Sequence, residues 1–153
     1  MEIWHEARVL PEWIDSNGHM NLAYYVVVFD HATDVLFDRI GLGTDYRRAS
    51  GNTMFVAETH TLYEREMAEG EALRVRPVVL DADAKRLHFG HEMFHAASGK
   101  RAAVQELMAL HIDLSVRRTS PFPADRLDAI AAARSLAPRP DWAGRKIAMP
   151  AAK

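Results

Sequence analysis

The residues best equipped for chemistry crowd into one short stretch, Trp13-Ile14-Asp15-Ser16-Asn17-Gly18-His19-Met20-Asn21. Asp15 is a carboxylate three residues ahead of a glycine, in a run of turn formers. A carboxylate held there can attack an activated carbonyl or take a proton from water. An Asp ahead of Asn-Gly also simply caps a turn, so residue type and spacing leave both roles open. His19 can hydrogen-bond a reacting water or fill a polar corner of the turn, and Asn17 reads as turn chemistry. Glu58 and His60, two apart and so on one side of a strand, are a second candidate acid–base pair or else a structural hydrogen-bonded pair. Lys85 and Arg86 are adjacent cations at a turn, suited to phosphate oxygens or to solvent.

What is missing narrows the chemistry further. The 153 residues contain no cysteine, which removes disulfides, thiolate catalysis and cysteine-based zinc sites, and fits a reducing cytoplasm. Among eight histidines, His91 and His95 are four apart, a helical metal-ligand spacing. In a strand, that spacing puts two side chains on one face but about 13 Å apart, so no metal is expected. His88 and His111 read as strand histidines with local partners. A formal charge of −2 and pI near 6.4 argue against nucleic acid as the partner. The acidic start, Met1-Glu2-Ile3-Trp4-His5-Glu6, lacks the basic and apolar regions of a signal peptide. No stretch approaches the roughly 18 apolar residues of a membrane helix. The expectation is a soluble, cytoplasmic chain that needs no cofactor.

The elements that must position these groups follow from periodicity. Residues 2–10 alternate and stop at Pro11, a first strand. Asn21 is an N-cap for a helix in which Leu22, Tyr25, Val26, Phe29, Thr33, Leu36, Phe37 and Ile40 recur at helical spacing. Gly41 and Gly43 end it. Its Val26-Val27-Val28 run is a poor helix former, so burial on most sides must hold the helix. A loop through Ser50, Gly51 and Asn52 follows, then strands over 54–63, 73–80, 87–96 and 102–116. The gaps between them are short, so consecutive strands should pair as hairpins. Residues 125–136 read as an amphipathic helix, and the proline-bearing stretch beyond as irregular. The expected domain spans 1–137 with a tail over 138–153. One long buried helix between a first strand and a four-strand antiparallel run implies an α+β fold, with a curved sheet wrapped round the helix.

The Trp13–Asn21 segment, an Asp three residues before a Gly and then a helix with Tyr24 and Tyr25 in its first turns, resembles the hotdog-fold acyl-CoA thioesterases of the 4-hydroxybenzoyl-CoA thioesterase type. Further blocks are similar to the betainyl-CoA thioesterase group, associated with carnitine dehydrogenase. These are Val9-Leu10-Pro11-Glu12-Trp13, Gly18-His19-Met20, Glu58-Thr59-His60, Asp83-Ala84-Lys85-Arg86-Leu87-His88, Leu110-His111-Ile112-Asp113, Leu136-Ala137-Pro138-Arg139-Pro140 and Gly144-Arg145. The helix start, Asn21-Leu22-Ala23-Tyr24, is less polar than in that group, and it bears on the acyl group rather than the reaction.

The resemblance implies a hotdog fold and hydrolysis of a short acyl-CoA, with Asp15 as the catalytic carboxylate. The Leu22 backbone N–H would meet the oxyanion, and Gly18 would let substrate approach the backbone closely. The acyl group is expected among Trp13, His19, Asn21, Tyr25, Phe55 and His60, and the resemblance puts the coenzyme A phosphates on Lys85 and Arg86. A homodimer or homotetramer is expected, because an open curved sheet leaves an edge strand to be paired. The alternatives are a hotdog hydratase or dehydratase, for which Glu58 with His60 is a faint echo, and a non-catalytic acyl-CoA-binding module, which would not need Asp15.

Overall fold

The computed structural model describes residues 3–134 and 137–149. Strand β1 (His5–Arg8) leads through a 3-10 turn at Pro11–Trp13 to helix α1 (Leu22–Arg39). A short helix α2 (Thr44–Ser50) precedes β2 (Asn52–Tyr63), β3 (Ala72–Ala82), β4 (Arg86–His95), β5 (Arg101–Asp113) and β6 (Arg118–Thr119). Helix α3 (Ala124–Ala133) follows. The apolar periodicity thus recovers α1 and its cap, because Asn21 does accept the Ala23 N–H through its side chain.

The strands form one antiparallel sheet in the order β1-β3-β4-β5-β2, with β6 on β5. It curls over α1, whose Tyr25, Val28, Phe29, Ala32, Leu36 and Phe37 are buried against it. A fully buried side chain of this size contributes about 1.5–3 kcal/mol, and that burial outweighs the weak propensity of the valine run. Val26 and Val27, however, are exposed, against the expectation of burial on most sides.

Two other expectations need correcting. Residues 44–50, expected as loop, form α2, whose Tyr46 hydroxyl donates to His111 Nε2 at 2.8 Å. More consequentially, β2 does not pair with β3. It pairs with β5 at the far edge of the sheet. The 64–71 connection is too long for a tight hairpin and is anchored elsewhere. Glu64 and Arg65 N–H donate to Ala102 O, Met67 is buried and accepts from Met20 N–H, and Gly70 N–H reaches Val9 O. It therefore carries the chain from the β2 edge past the start of α1 to β3, beside the opposite edge strand β1.

The face of the sheet turned away from α1 is covered in part by the irregular C-terminal segment. Trp142 is fully buried there, its Nε1 donating to Glu92 Oε1 at 3.0 Å. Gly90 makes room for it, since a Cβ would lie 2.4 Å from the indole ring. The end of the 125–136 helix expectation includes Ser135 and Leu136, which lie outside the described residues. No helix among the described residues is long and apolar enough to cross a membrane.

Candidate active site

The Asp15 loop is a closed turn. Ile14 and Met20 bridge, His19 O accepts the Asp15 N–H at 3.1 Å, and Asp15 O accepts the Gly18 N–H at 3.0 Å. Gly18 has φ +83°, which a side chain disfavours. Nothing lies within 4 Å of where its Cβ would be, so the glycine answers to backbone conformation rather than crowding. Asp15 Oδ1 accepts the Asn17 N–H at 2.8 Å, and Asn21 Nδ2 approaches Oδ2 at 3.5 Å.

This turn delivers its carboxylate to the start of α1. The Asn21 N–H donates to Trp13 O at 2.9 Å, tying the helix cap to the residues before Asp15. Leu22, the first helical residue, is 62% exposed, and its N–H has no acceptor among the described residues. An unsatisfied N–H at the positive end of an 18-residue helix is suited to developing negative charge. Trp13 stacks on Tyr24 at 5.3 Å and 12°, flanking the turn with an aromatic wall. Tyr63 donates to Leu22 O at 3.4 Å.

The other expected residues divide. His19 Nε2 lies 3.1 Å from Glu66 Oε2, tethering the loop to the β2–β3 connection. Tyr25 is buried in the core, its hydroxyl donating to Arg65 O at 3.1 Å, and burial pushes the phenol pKa up. His60 and Glu58 do lie on one side of β2, but that side faces away from α1. Their register partners are Glu106 and Met108, and Glu106 binds His88 and the Gly144 N–H on the outer face. Thr59, Thr61 and Tyr63 face the helix instead. Neither Glu58 nor His60 has a side-chain hydrogen bond or ion pair among the described residues, so within one chain they form no acid–base pair beside Asp15.

Phe55 is also far from Asp15 within one chain. Eight residues of strand separate it from Tyr63, roughly 25 Å. A bulge between Val56 and Glu58 restores Phe55 to the outer face, where it and Arg86 flank Leu110 in register. Lys85 and Arg86 occupy the β3–β4 turn, whose Asp83 side chain accepts both their N–H groups and the Arg86 guanidinium at 2.7 Å. The Arg86 contact, with the Lys85 N–H next, holds the Asp83 carboxyl down at about 2. A shallow pocket of about 390 Å³ opens between this turn, Leu110 and Thr119.

Arg117 and Arg118 escaped sequence reasoning. Arg117 stands 5.9 Å over the Phe55 ring, and Arg118 precedes the pocket-lining Thr119. The adjacent cations at the end of an expected strand were their only signal.

The remaining histidines serve the fold. His88 binds Glu106 at 2.7 Å, and His111 is held between Tyr46 and Ser120 O. His91 points into the core at Thr33, whereas His95 binds Glu71. Among the described residues, no group of three or more His, Asp or Glu is placed to hold a metal ion. A cavity of about 750 Å³ lies at the other end of α1, between Arg39, β3, α3 and the C-terminal segment.

Residues 9–133 match the model of the thioesterase-like superfamily. The betainyl-CoA thioesterase of Pseudomonas aeruginosa is 41% identical, over 95% of this chain and 94% of that one. The L-carnitine dehydrogenase/betainyl-CoA thioesterase of Agrobacterium fabrum is 38% identical over 94% of this chain, but over only 30% of its own length. A Staphylococcus aureus protein, solved in complex with CoA, superposes with a TM-score of 0.89 at 30% identity, covering 98% of this chain and 96% of that one. This chain shares the hotdog architecture of a curled sheet around one helix with that solved structure, and it belongs to the thioesterase-like superfamily.

Proposed function

We propose that this chain hydrolyses a short acyl-CoA thioester to the free acid and coenzyme A, with Asp15 as the catalytic carboxylate. The observation that carries the reading is the meeting of two groups at one place: a half-buried carboxylate fixed in a closed turn, and the unsatisfied N–H of Leu22 at the start of α1. A thioester carbonyl is already activated and its thiol leaves readily, so little else is required. Asp15 attacks the carbonyl carbon or draws a proton from the attacking water. In both cases the developing oxyanion faces the helix N-terminus.

The substrate end follows from the aromatics. Betaine carries a quaternary ammonium, which donates no hydrogen bond and is held best by aromatic faces. Trp13, Tyr24 and Tyr63 border the site, and the similarity to betainyl-CoA thioesterases points the same way. Lys85 and Arg86 take the coenzyme A phosphates, joined by Arg117 and Arg118.

The working unit is a homodimer joined along β2. That strand is paired on one side only among the described residues, and its middle is exposed on both faces, with Phe55 41% and Val56 44% exposed. Leu22, Val26 and Val27 add exposed apolar surface on the adjoining helix. An unpaired apolar edge this long is an aggregation hazard that pairing removes.

A panel of acyl-CoAs, followed through released thiol, tests the reaction and the acyl group together. Betainyl-CoA should exceed its neutral isostere, 3,3-dimethylbutyryl-CoA, by about 30- to 1000-fold in kcat/KM if two aromatic faces each contribute about 1–2 kcal/mol. Comparable rates on the two would remove the betaine assignment and leave a general short-chain thioesterase. No thiol release from any of the panel would remove the hydrolase reading.

A further inference from the structure

We infer that Asn21 is the positioning residue of the catalytic carboxylate, a role that rests on the reading of Asp15 above. Asn21 holds three attachments at once. Its N–H donates to Trp13 O, its C=O accepts the Tyr24 N–H at 3.0 Å, and its side-chain Oδ1 accepts the Ala23 N–H at 2.9 Å. A carboxamide has one oxygen and one amino group. With Oδ1 committed to the helix cap, the amino group must point the other way, and there Nδ2 meets Asp15 Oδ2 at 3.5 Å. A flipped amide would set an amino group against the Ala23 N–H and an oxygen against the carboxylate, losing both contacts.

Asp15 is therefore addressed by one donor on each oxygen, Asn17 N–H on Oδ1 and the Asn21 amide on Oδ2. The first belongs to the turn itself. The second is imposed by the helix, so the cap that starts α1 also fixes the rotation of the carboxylate relative to the Leu22 N–H. At 3.5 Å the contact is long, and such contacts commonly close up only around bound substrate.

Two substitutions separate this role from capping. Asp and Ser cap helices about as well as Asn, and both keep an oxygen for the Ala23 N–H. Both lose the donor to Asp15, and Asn21→Asp adds a second carboxylate beside the first. The His19–Glu66 pair in the same region is unchanged in both. The thermal midpoints of both variants should stay within about 3 °C of the wild type. Asn21→Ser should lose about tenfold in kcat with little change in KM. Asn21→Asp should move the acid limb of the kcat/KM profile up by about one pH unit or more, because two neighbouring carboxylates resist joint ionisation. The new carboxylate, held by Ala23 N–H and the helix dipole, stays ionised, which leaves the extra proton on Asp15.

Wild-type kcat and an unmoved acid limb in both variants, with Asp15→Asn inactive, would refute the positioning role and leave Asp15 as the catalytic group. An active Asp15→Asn would remove the reading of Asp15 and this role with it. If Asn21→Ser loses its cap and unfolds, Asn21→Asp, whose charge suits a helix start, decides by kcat on the plateau above the acid limb, where a loss of about tenfold supports the positioning role and wild-type kcat refutes it.

Discussion

His91→Gln should convert a pH-dependent part of the stability into a pH-independent one. Thr33 spends its only proton on Phe29 O at 3.0 Å, so at 2.8 Å it must accept from His91 Nε2–H. The neutral ring then has a bare Nδ1, which is buried with no hydrogen-bond partner among the described residues, between Phe29 and the edge of Phe89. Protonating it would bury a charge and an N–H with no acceptor. Burial first, and then nearby His5, hold the His91 pKa down at about 3, against 6.5 when exposed. His5 is itself lowered, by burial and then by His31, and acts in the same direction.

Because the folded pKa lies below the unfolded one, the unfolded chain takes up the proton first. The stability is whole above about pH 6.5 and drains away as pH falls toward 3. At 1.4 kcal/mol per pH unit the loss from His91 alone is about 3 kcal/mol by pH 4.5 and about 5 kcal/mol in full. Urea unfolding of wild type and His91→Gln at pH 7.5, 6.0, 5.0 and 4.5 measures it. The variant should begin about 1–2 kcal/mol less stable, through lost ring packing, and the gap should close or invert by pH 4.5. Stability curves that stay parallel from pH 7.5 to 4.5 would refute the reasoning.

Three further outcomes are expected. Replacing Lys85 and Arg86 with Ala should raise KM for CoA thioesters with kcat nearly unchanged, and should leave a pantetheine thioester unaffected; equal losses on both would place the pair in folding. Trp142→Ala should cost about 3–5 kcal/mol in urea unfolding, because the indole fills the space that Gly90 leaves and binds Glu92, and a loss below about 1 kcal/mol would make the C-terminal segment dispensable. Val56→Lys, a charge in the middle of β2, should shift sedimentation toward the monomer, whereas an unchanged dimer would place the interface elsewhere.

Much of the fold was legible because it rests on local signals. The apolar spacing along α1 and the Asn21 cap are read within a few residues of each other, and the turns at Asp83 and Ser98-Gly99 mark real hairpins. What escaped depends on distant partners. The β2–β5 pairing is decided by where the 64–71 connection is anchored, at Ala102, Met20 and Val9, not by its composition. Alternation correctly put Glu58 and His60 on one side of β2, yet it carries no information on which side meets the helix. The Val56/Glu58 bulge then shifts the facing of Phe55 relative to Tyr63. Trp142 lies in a proline-flanked stretch with no periodicity, and its burial depends on a glycine 52 positions earlier in the chain. The Asp15 turn, by contrast, was fully visible in its residue types, since turn chemistry is local.

The central claim is that Asp15 carries the hydrolysis, and Asp15→Asn tests it most directly. The amide keeps the shape and removes the charge and the basic oxygen. With betainyl-CoA and thiol release as the readout, kcat should fall by roughly 1000-fold or more, about 4 kcal/mol of transition-state stabilisation, with KM little changed. A folded variant that keeps more than about a tenth of the wild-type kcat would contradict the account.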